Sequence, residues 1–164
     1  MNKAFNQTTI ELINCQLIKT ITLDDAILLS TLLASSNPWL ILNISASALE
    51  NYFMRNDLAL HRYLIIIEQQ MAGIICIRNP WLRGPYIELL GLAPQYRNLG
   101  IGKQVLTWAE TQARLEAKNL WVVTSAFNDK ALSFYQNQGF QIVGSLPQLI
   151  RPEHDEILLR KYWD

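Results

Sequence analysis

The chain has 164 residues, with 14 basic and 14 acidic side chains and a formal net charge of zero. Half of its residues are hydrophobic and 17% are charged, which excludes a disordered segment and provides for a domain with a real core. There is no basic stripe to serve as a nucleic-acid footprint, and the apolar runs are too short to span a membrane, so neither partner is expected.

The two cysteines, Cys15 and Cys76, lie in apolar, strand-like stretches and read as small buried thiols. They are too few for a disulfide framework. No metal-ligand spacing occurs, so no metal is expected. Met1 to Glu11 lacks the apolar core of a signal peptide, and a reducing cytoplasm is the expected compartment.

In chain order, residues 1–11 are polar and expected to be flexible. A strand is predicted near Gln16 to Ile21. Thr22 then caps a helix with Asp24 and Asp25 in its first turn, running to Ala34. Ser35 to Pro38 breaks it, and Trp39 to Ile44 is ambiguous. Ser45 opens a second helix with Leu49, Tyr52 and Phe53 on its apolar face, ending near Arg55.

The period then changes. His61 to Glu68 is a β-branched, buried strand. Gln69-Gln70 reads as a tight turn, and Met71 to Ile77 as the next strand with Gly73 at a bulge. A loop rich in breakers spans Asn79 to Pro85. Tyr86 to Leu92 is a buried strand that Pro94 stops. Ile101, Val105, Leu106, Ala109 and Ala113 mark one face of a helix ending near Lys118-Asn119.

Leu120 to Ser125 is a strand reached by a crossover and so parallel to its predecessor. Asn128 caps a helix that stops at Gly139. A short strand, Phe140 to Val143, a loop through Pro147 and Pro152, and an antiparallel last strand, Asp155 to Tyr162, complete one mixed α/β domain over residues 1–164.

The order strand, Arg-x-x-Gly-x-Gly loop, helix around residues 86–113 has a chemical use. A helix start offers unpaired N–H groups and the positive end of a dipole. Gly100 and Gly102 let an anion reach that backbone, and Arg97 and Lys103 add charge. The natural ligand is a pyrophosphate. A P-loop is excluded because position 97 is Arg and Gln104 follows Lys103; a Rossmann fingerprint is excluded because position 105 is Val and the strand at 120–125 carries no acid. Asn128 and Tyr135 stand seven residues apart on one helix face, about 10 Å along the axis, so a ligand touching both is extended. Each also has a plain structural reading, as a cap and as a core aromatic.

Arg97-Asn98-Leu99-Gly100-Ile101-Gly102 matches the acetyl-CoA loop of the GNAT N-acetyltransferases in the required context. With Glu88 to Pro94, and with Asn128 to Phe140 matching Asn-x-x-Ala-x-x-x-Tyr-x-x-x-Gly-Phe, the chain resembles that family over most of its length. The resemblance implies a mixed α/β fold whose central parallel strands splay around the cofactor. It implies acetyl-CoA as cosubstrate and direct attack by a primary amine, on a small molecule or a protein, in a ternary complex. Backbone groups of Leu90, Gly91 and Leu92 would pair with pantetheine, and a backbone N–H near Leu92 would stabilise the oxyanion. Arg97, Asn98, Leu99, Gly100, Ile101, Gly102 and Lys103 would hold the pyrophosphate. Asn128 would bind pantetheine, and Tyr135 would protonate the departing thiolate.

The attacking amine needs a base. The ribosomal-protein acetyltransferases, which the chain otherwise resembles, often carry a glutamate five residues before the asparagine, where this chain has Val123. Glu88 is the substitute, with a structural ion pair as its alternative reading; His61 and His154 read as surface residues. The acceptor side is expected from Trp39 to Arg55, Trp81 to Arg83 and Leu146 to Asp155. The alternative from another class is a CoA-binding sensor or scaffold without catalysis. Monomer and homodimer are equally compatible.

Overall fold

A computed structural model describes residues 4–164 of the chain. Among them are the strands β1 (Thr9–Glu11), β2 (Gln16–Ile18), β3 (Leu60–Ile67), β4 (Gln70–Arg78), β5 (Tyr86–Leu92), β6 (Asn119–Ser125), β7 (Gln141–Arg151) and β8 (His154–Tyr162). Four helices accompany them: α1 (Leu23–Ala34), α2 (Ala46–Met54), α3 (Ile101–Ala113) and α4 (Asp129–Asn137). The strands form one sheet in the order β1-β2-β3-β4-β5-β6-β8-β7. It is antiparallel throughout except where β5 meets β6.

The expected mixed α/β fold is therefore the observed one. Both faces of the sheet are covered, which is why β3 and β4 read as nearly unbroken apolar runs. Leu64, Ile74 and Cys76 pack beneath Ala26, Leu29 and Leu33 of α1 and Leu49 and Phe53 of α2. Tyr63, Ile65, Ile75 and Ile77 face the other way, onto Val105, Trp108 and Ala109 of α3. The helix starts follow their caps. Thr22 and Asp25 form a reciprocal capping box at α1, and the Ser45 hydroxyl accepts from Ala48 N–H at α2.

Two irregularities shape the centre. Ala72 is skipped in the β3–β4 register, placing a bulge beside Gly73, as expected from the sequence. A Cβ on Gly73 would lie 2.0 Å from the carbonyl oxygen of Gly91, so β4 and β5 approach as closely as two glycines allow. In β5, Ile87 pairs with Ile77 and Leu89 with Cys76, leaving Glu88 as an extra residue. Side-chain alternation shifts there. Ile87, Leu90 and Leu92 join the α3–α4 core, whereas Leu89 turns to the α1–α2 side.

Several expectations from the sequence need correction. Residues 1–3 lie outside the described residues, but the rest of the segment expected to be flexible packs into the fold. Thr9–Glu11 pairs with β2, and Phe5 is fully buried, its carbonyl accepting from Tyr63 Oη at 2.7 Å and Lys19 Nζ at 2.6 Å. A few apolar residues in a polar stretch are enough to anchor it. The β3–β4 turn falls one residue earlier than expected, on Glu68 and Gln69, both with positive φ. The expected loop through Pro147 is strand: β7 runs to Arg151 and joins β8 in a hairpin. Pro147 is tolerated because β7 is an edge strand, where a missing N–H breaks no ladder.

Phe5→Ala tests the first correction. Removing a fully buried aromatic is expected to lower unfolding stability by about 3–5 kcal/mol, read from urea denaturation. A change near zero would return the segment to a loose tail.

Candidate active site

Parallel pairing of β5 with β6 covers only Tyr86 with Trp121 and Ile87 with Val122. Beyond the Glu88 bulge the strands part. The gap opens into a cleft of about 420 Å3 bordered by Tyr86, Glu88 and Leu90 of β5 and Val123, Thr124 and Ser125 of β6. One rim of it is the backbone edge of β5 after Ile87, which no strand occupies. Trp81 packs tilted against Tyr86 and edge-on to Trp121, with centroids at 4.8 and 5.5 Å, at the end where the strands still pair.

The two sheet faces contribute different groups. Leu120 and Val122 point into the α3–α4 core, so Trp121, Val123 and Ser125 point to the α1–α2 side. On that side the cleft is walled by Trp39, Leu42 and Ile44 of the α1–α2 connection, by Tyr52 of α2 and by Ile150 of β7. Arg151 fastens the β7–β8 hairpin to the connection, donating to the carbonyls of Leu42 (2.7 Å) and Asn43 (2.8 Å). From the other side α4 contributes Asn128, Ala131 and Tyr135.

Tyr135 is 6% exposed, its ring edge-on to Phe134 and Phe140. Burial raises its pKa above the ordinary phenol value, so it holds its proton at neutral pH. The Asn128 side-chain oxygen accepts from Ala131 N–H at 3.2 Å, capping α4. The cap reading of Asn128 is therefore correct, and the amide end of the same side chain is the part available to a ligand in the cleft.

Ahead of α3, a short 3-10 turn (Pro94–Tyr96) leads through Asn98, with φ 60°, to Gly100, with φ 78°. Gly100 occupies the cap position without a side-chain hydrogen bond, which leaves the first-turn N–H groups of α3 uncapped. A Cβ on Gly100 would meet nothing within 4 Å; one on Gly102 would meet the Phe134 ring at an ordinary 3.5 Å. Packing thus demands neither glycine, although the backbone at Gly100 favours one. Gly91 is different, since a Cβ there would lie 2.8 Å from the Trp39 ring. Leu99 and Lys103 are exposed beside the turn.

Arg97 departs from expectation. Its guanidinium donates to the Leu92 carbonyl (2.9 Å), the Ser36 hydroxyl (3.1 Å) and the Asn37 carbonyl (3.3 Å). It ties the α1–α2 connection to the end of β5. Two of its partners, Ser36 and Asn37, lie about sixty residues back in the chain, out of reach of any local motif.

Glu88 takes the ion-pair reading. It accepts from Tyr52 Oη at 2.7 Å and pairs with Arg78, whose other nitrogen reaches Asp57 at 3.0 Å. A carboxylate that sequence reasoning missed is Glu156 of β8. It is 2% exposed, lines the cleft and accepts from the Ser125 hydroxyl at 2.8 Å. Burial raises its pKa above the ordinary carboxyl value. The available signal was an acid directly before the apolar run Ile157–Leu159 of a predicted strand. Of the histidines, His61 is partly buried against Phe5, and His154 lies edge-on to Phe127 in the β7–β8 hairpin.

A sheet that opens beside an uncapped, glycine-initiated helix defines a place for an extended, phosphate-bearing cofactor. The chain belongs to the acetyltransferase (GNAT) family, whose model matches residues 28–140. Its fold is that of an acetyltransferase from Thermus thermophilus, with a TM-score of 0.73 and 18% identity over 94% of this chain and 100% of that one. An acetyltransferase from Salmonella typhimurium that modifies the N-terminal serine of ribosomal protein L7/L12 is similar at a TM-score of 0.73, 17% identity and 93% and 97% coverage. A Bacillus anthracis protein designated a streptothricin acetyltransferase, solved with acetyl coenzyme A, aligns over 66% of this chain and 65% of its own at a TM-score of 0.59 and 24% identity. The protein is an acetyl-CoA-dependent N-acetyltransferase.

The glycines separate binding from folding. Gly102→Val keeps a helical φ and is expected to leave the melting temperature within a few degrees while weakening acetyl-CoA binding about tenfold or more, roughly 1.4 kcal/mol. Gly100→Ala, forced to a positive φ, is expected to lose about 1–2 kcal/mol of stability as well. Calorimetric binding beside thermal denaturation distinguishes the two; parallel loss of folding and binding in Gly102→Val would make that glycine structural.

Proposed function

We propose that the protein transfers the acetyl group of acetyl-CoA to a primary amine by direct attack in a ternary complex formed in the β5–β6 gap. The carrying observation is that Tyr135, a protonated phenol, enters this gap from the face that also bears the uncapped start of α3.

In this reading pantetheine lies along the free edge of β5 like an added strand, paired with backbone groups between Leu90 and Leu92. The N–H groups of Ile101, Gly102 and Lys103 and the turn through Asn98, Leu99 and Gly100 take the pyrophosphate, with the Lys103 ammonium at the exposed rim. The Arg97 side chain supports the turn from behind. The Asn128 amide holds pantetheine, and a backbone N–H near Leu92 faces the oxyanion. As C–S cleavage proceeds, Tyr135 gives its proton to the CoA thiolate.

The acceptor enters from the α1–α2 side, between walls closed by the Arg151 bonds. Aromatic and aliphatic surfaces with two carboxylates, Glu88 and Glu156, suit an ammonium carried on an apolar body. The free, buried thiols of Cys15 and Cys76 fit a reducing cytoplasm. No helix among the described residues is long and apolar enough to cross a membrane.

Acetyl-CoA at about 100 times its Kd is expected to add roughly 2.7 kcal/mol to stability. The absence of any thermal shift at millimolar acetyl-CoA would contradict binding in the gap. Tyr135→Phe keeps the buried ring and removes the hydroxyl. It is expected to lower kcat by about 10²–10⁴-fold with little change in acetyl-CoA affinity or melting temperature. Unchanged kcat, with chemistry shown to be rate-limiting, would assign the proton to another group.

A further inference from the structure

We propose that Glu156 of β8, and not Glu88, is the catalytic base that takes the proton from the acceptor ammonium; the proposal rests on the acetyl-transfer reading above. Its foundation is position. Glu156 stands opposite Ser125 in the β6–β8 register, and its neighbours Ile157 and Leu159 point into the α3–α4 core. Its carboxylate therefore faces the α1–α2 side of the gap, where the acceptor enters, while Tyr135 faces the same gap from the other side. Acid and base are divided between the two faces of the opened sheet, with the thioester between them.

The second ground is the lack of compensation. Glu156 is 2% exposed, and among the described residues its hydrogen-bonding partner is the Ser125 hydroxyl, a neutral donor. A carboxylate so buried is costly to keep ionised without a cation beside it. An arriving ammonium supplies that cation, and proton transfer relieves the charge. The groups around Glu156 leave it this freedom. Burial is the larger influence and favours the neutral acid, while His154 of its own strand favours the ionised form; β7 places Leu146 opposite it, and Tyr52, Tyr86 and Tyr135 line the cleft as neutral phenols. The Glu88 carboxylate is already engaged, by the Arg78 guanidinium and by the Tyr52 hydroxyl. The same Arg78 also pairs with Asp57, so Glu88 belongs to a structural ion network.

The step balances. The ammonium gives one proton to the Glu156 carboxylate, and the freed nitrogen lone pair forms the C–N bond at the thioester carbonyl. Collapse of the tetrahedral oxyanion breaks the C–S bond, and the thiolate takes the Tyr135 proton. The second proton lost by nitrogen restores the phenol, and Glu156 releases its proton to solvent.

The test is the pH dependence of kcat/KM for an alkylamine acceptor in the wild-type protein and in Glu156→Gln, Glu156→Asp and Glu88→Gln, with acetyl-CoA affinity measured alongside. Glu156→Gln retains an oxygen for the Ser125 bond. It is expected to lose about 10²-fold or more at neutral pH, and its remaining rate should track the free-amine fraction of the acceptor alone. Glu156→Asp should recover an acid limb, and Glu88→Gln should keep the wild-type limb. A wild-type profile in Glu156→Gln, or loss of the limb in Glu88→Gln, would overturn the assignment while leaving acetyl transfer intact. Binding of acetyl-CoA by the wild-type protein without turnover of any amine would overturn the acetyl-transfer reading, and the role of Glu156 with it. If Glu156→Gln fails to fold, the Asp and Glu88 profiles decide between the two carboxylates.

Discussion

The structure depends on the place where β5 and β6 stop pairing. Two parallel strands hold together over Tyr86–Trp121 and Ile87–Val122 and then separate at the Glu88 bulge. A bulge bends its strand and increases its twist, and here it coincides with the end of the parallel ladder. Backbone groups on an unoccupied sheet edge seek partners, so the opening is also a template for an extended ligand. The opposite edge of β5 cannot yield, because Gly73 and Gly91 bring β4 into close contact and Trp39 packs onto Gly91. The rigid side of β5 thus fixes the position of its open side.

The α1–α2 connection closes the cleft from above, and it is fastened twice. Arg97, from the loop after β5, bonds Ser36 and Asn37 at one end. Arg151, from the tip of the β7–β8 hairpin, bonds Leu42 and Asn43 at the other. Two arginines from distant parts of the chain thereby hold the α1–α2 connection in place over the cleft. Both arginines spend their hydrogen bonds on the protein itself, while the first-turn N–H groups of α3 stay uncapped.

Much of this was legible in the sequence. The apolar run bounded by Tyr86 and Leu92 is β5 as found, and the caps Thr22, Ser45 and Asn128 start α1, α2 and α4 as their side-chain chemistry requires. Periodicity and capping are local, and local signals survive folding. What escaped was set by distant partners. Arg97 matched a loop motif, but its acceptors include a residue 61 positions away. Glu88 sits where alternation predicts, but the Arg78 and Tyr52 that hold it could be found only once β4 and α2 were placed. Pro147 looked like a loop because edge position is a property of the sheet, not of the segment. Glu156 was one acid in a strand until its register with Ser125 put it in the cleft.

The central claim is that the free edge of β5 receives acetyl-CoA as though it were a missing strand. Residue-resolved amide hydrogen exchange with and without acetyl-CoA tests it directly. The account predicts new protection at amides between Leu90 and Leu92 and in the first turn of α3, from Ile101 to Lys103, with the β3–β4 amides unchanged. Ligand-dependent protection confined to other segments, with β5 and the start of α3 exchanging as before, would contradict it.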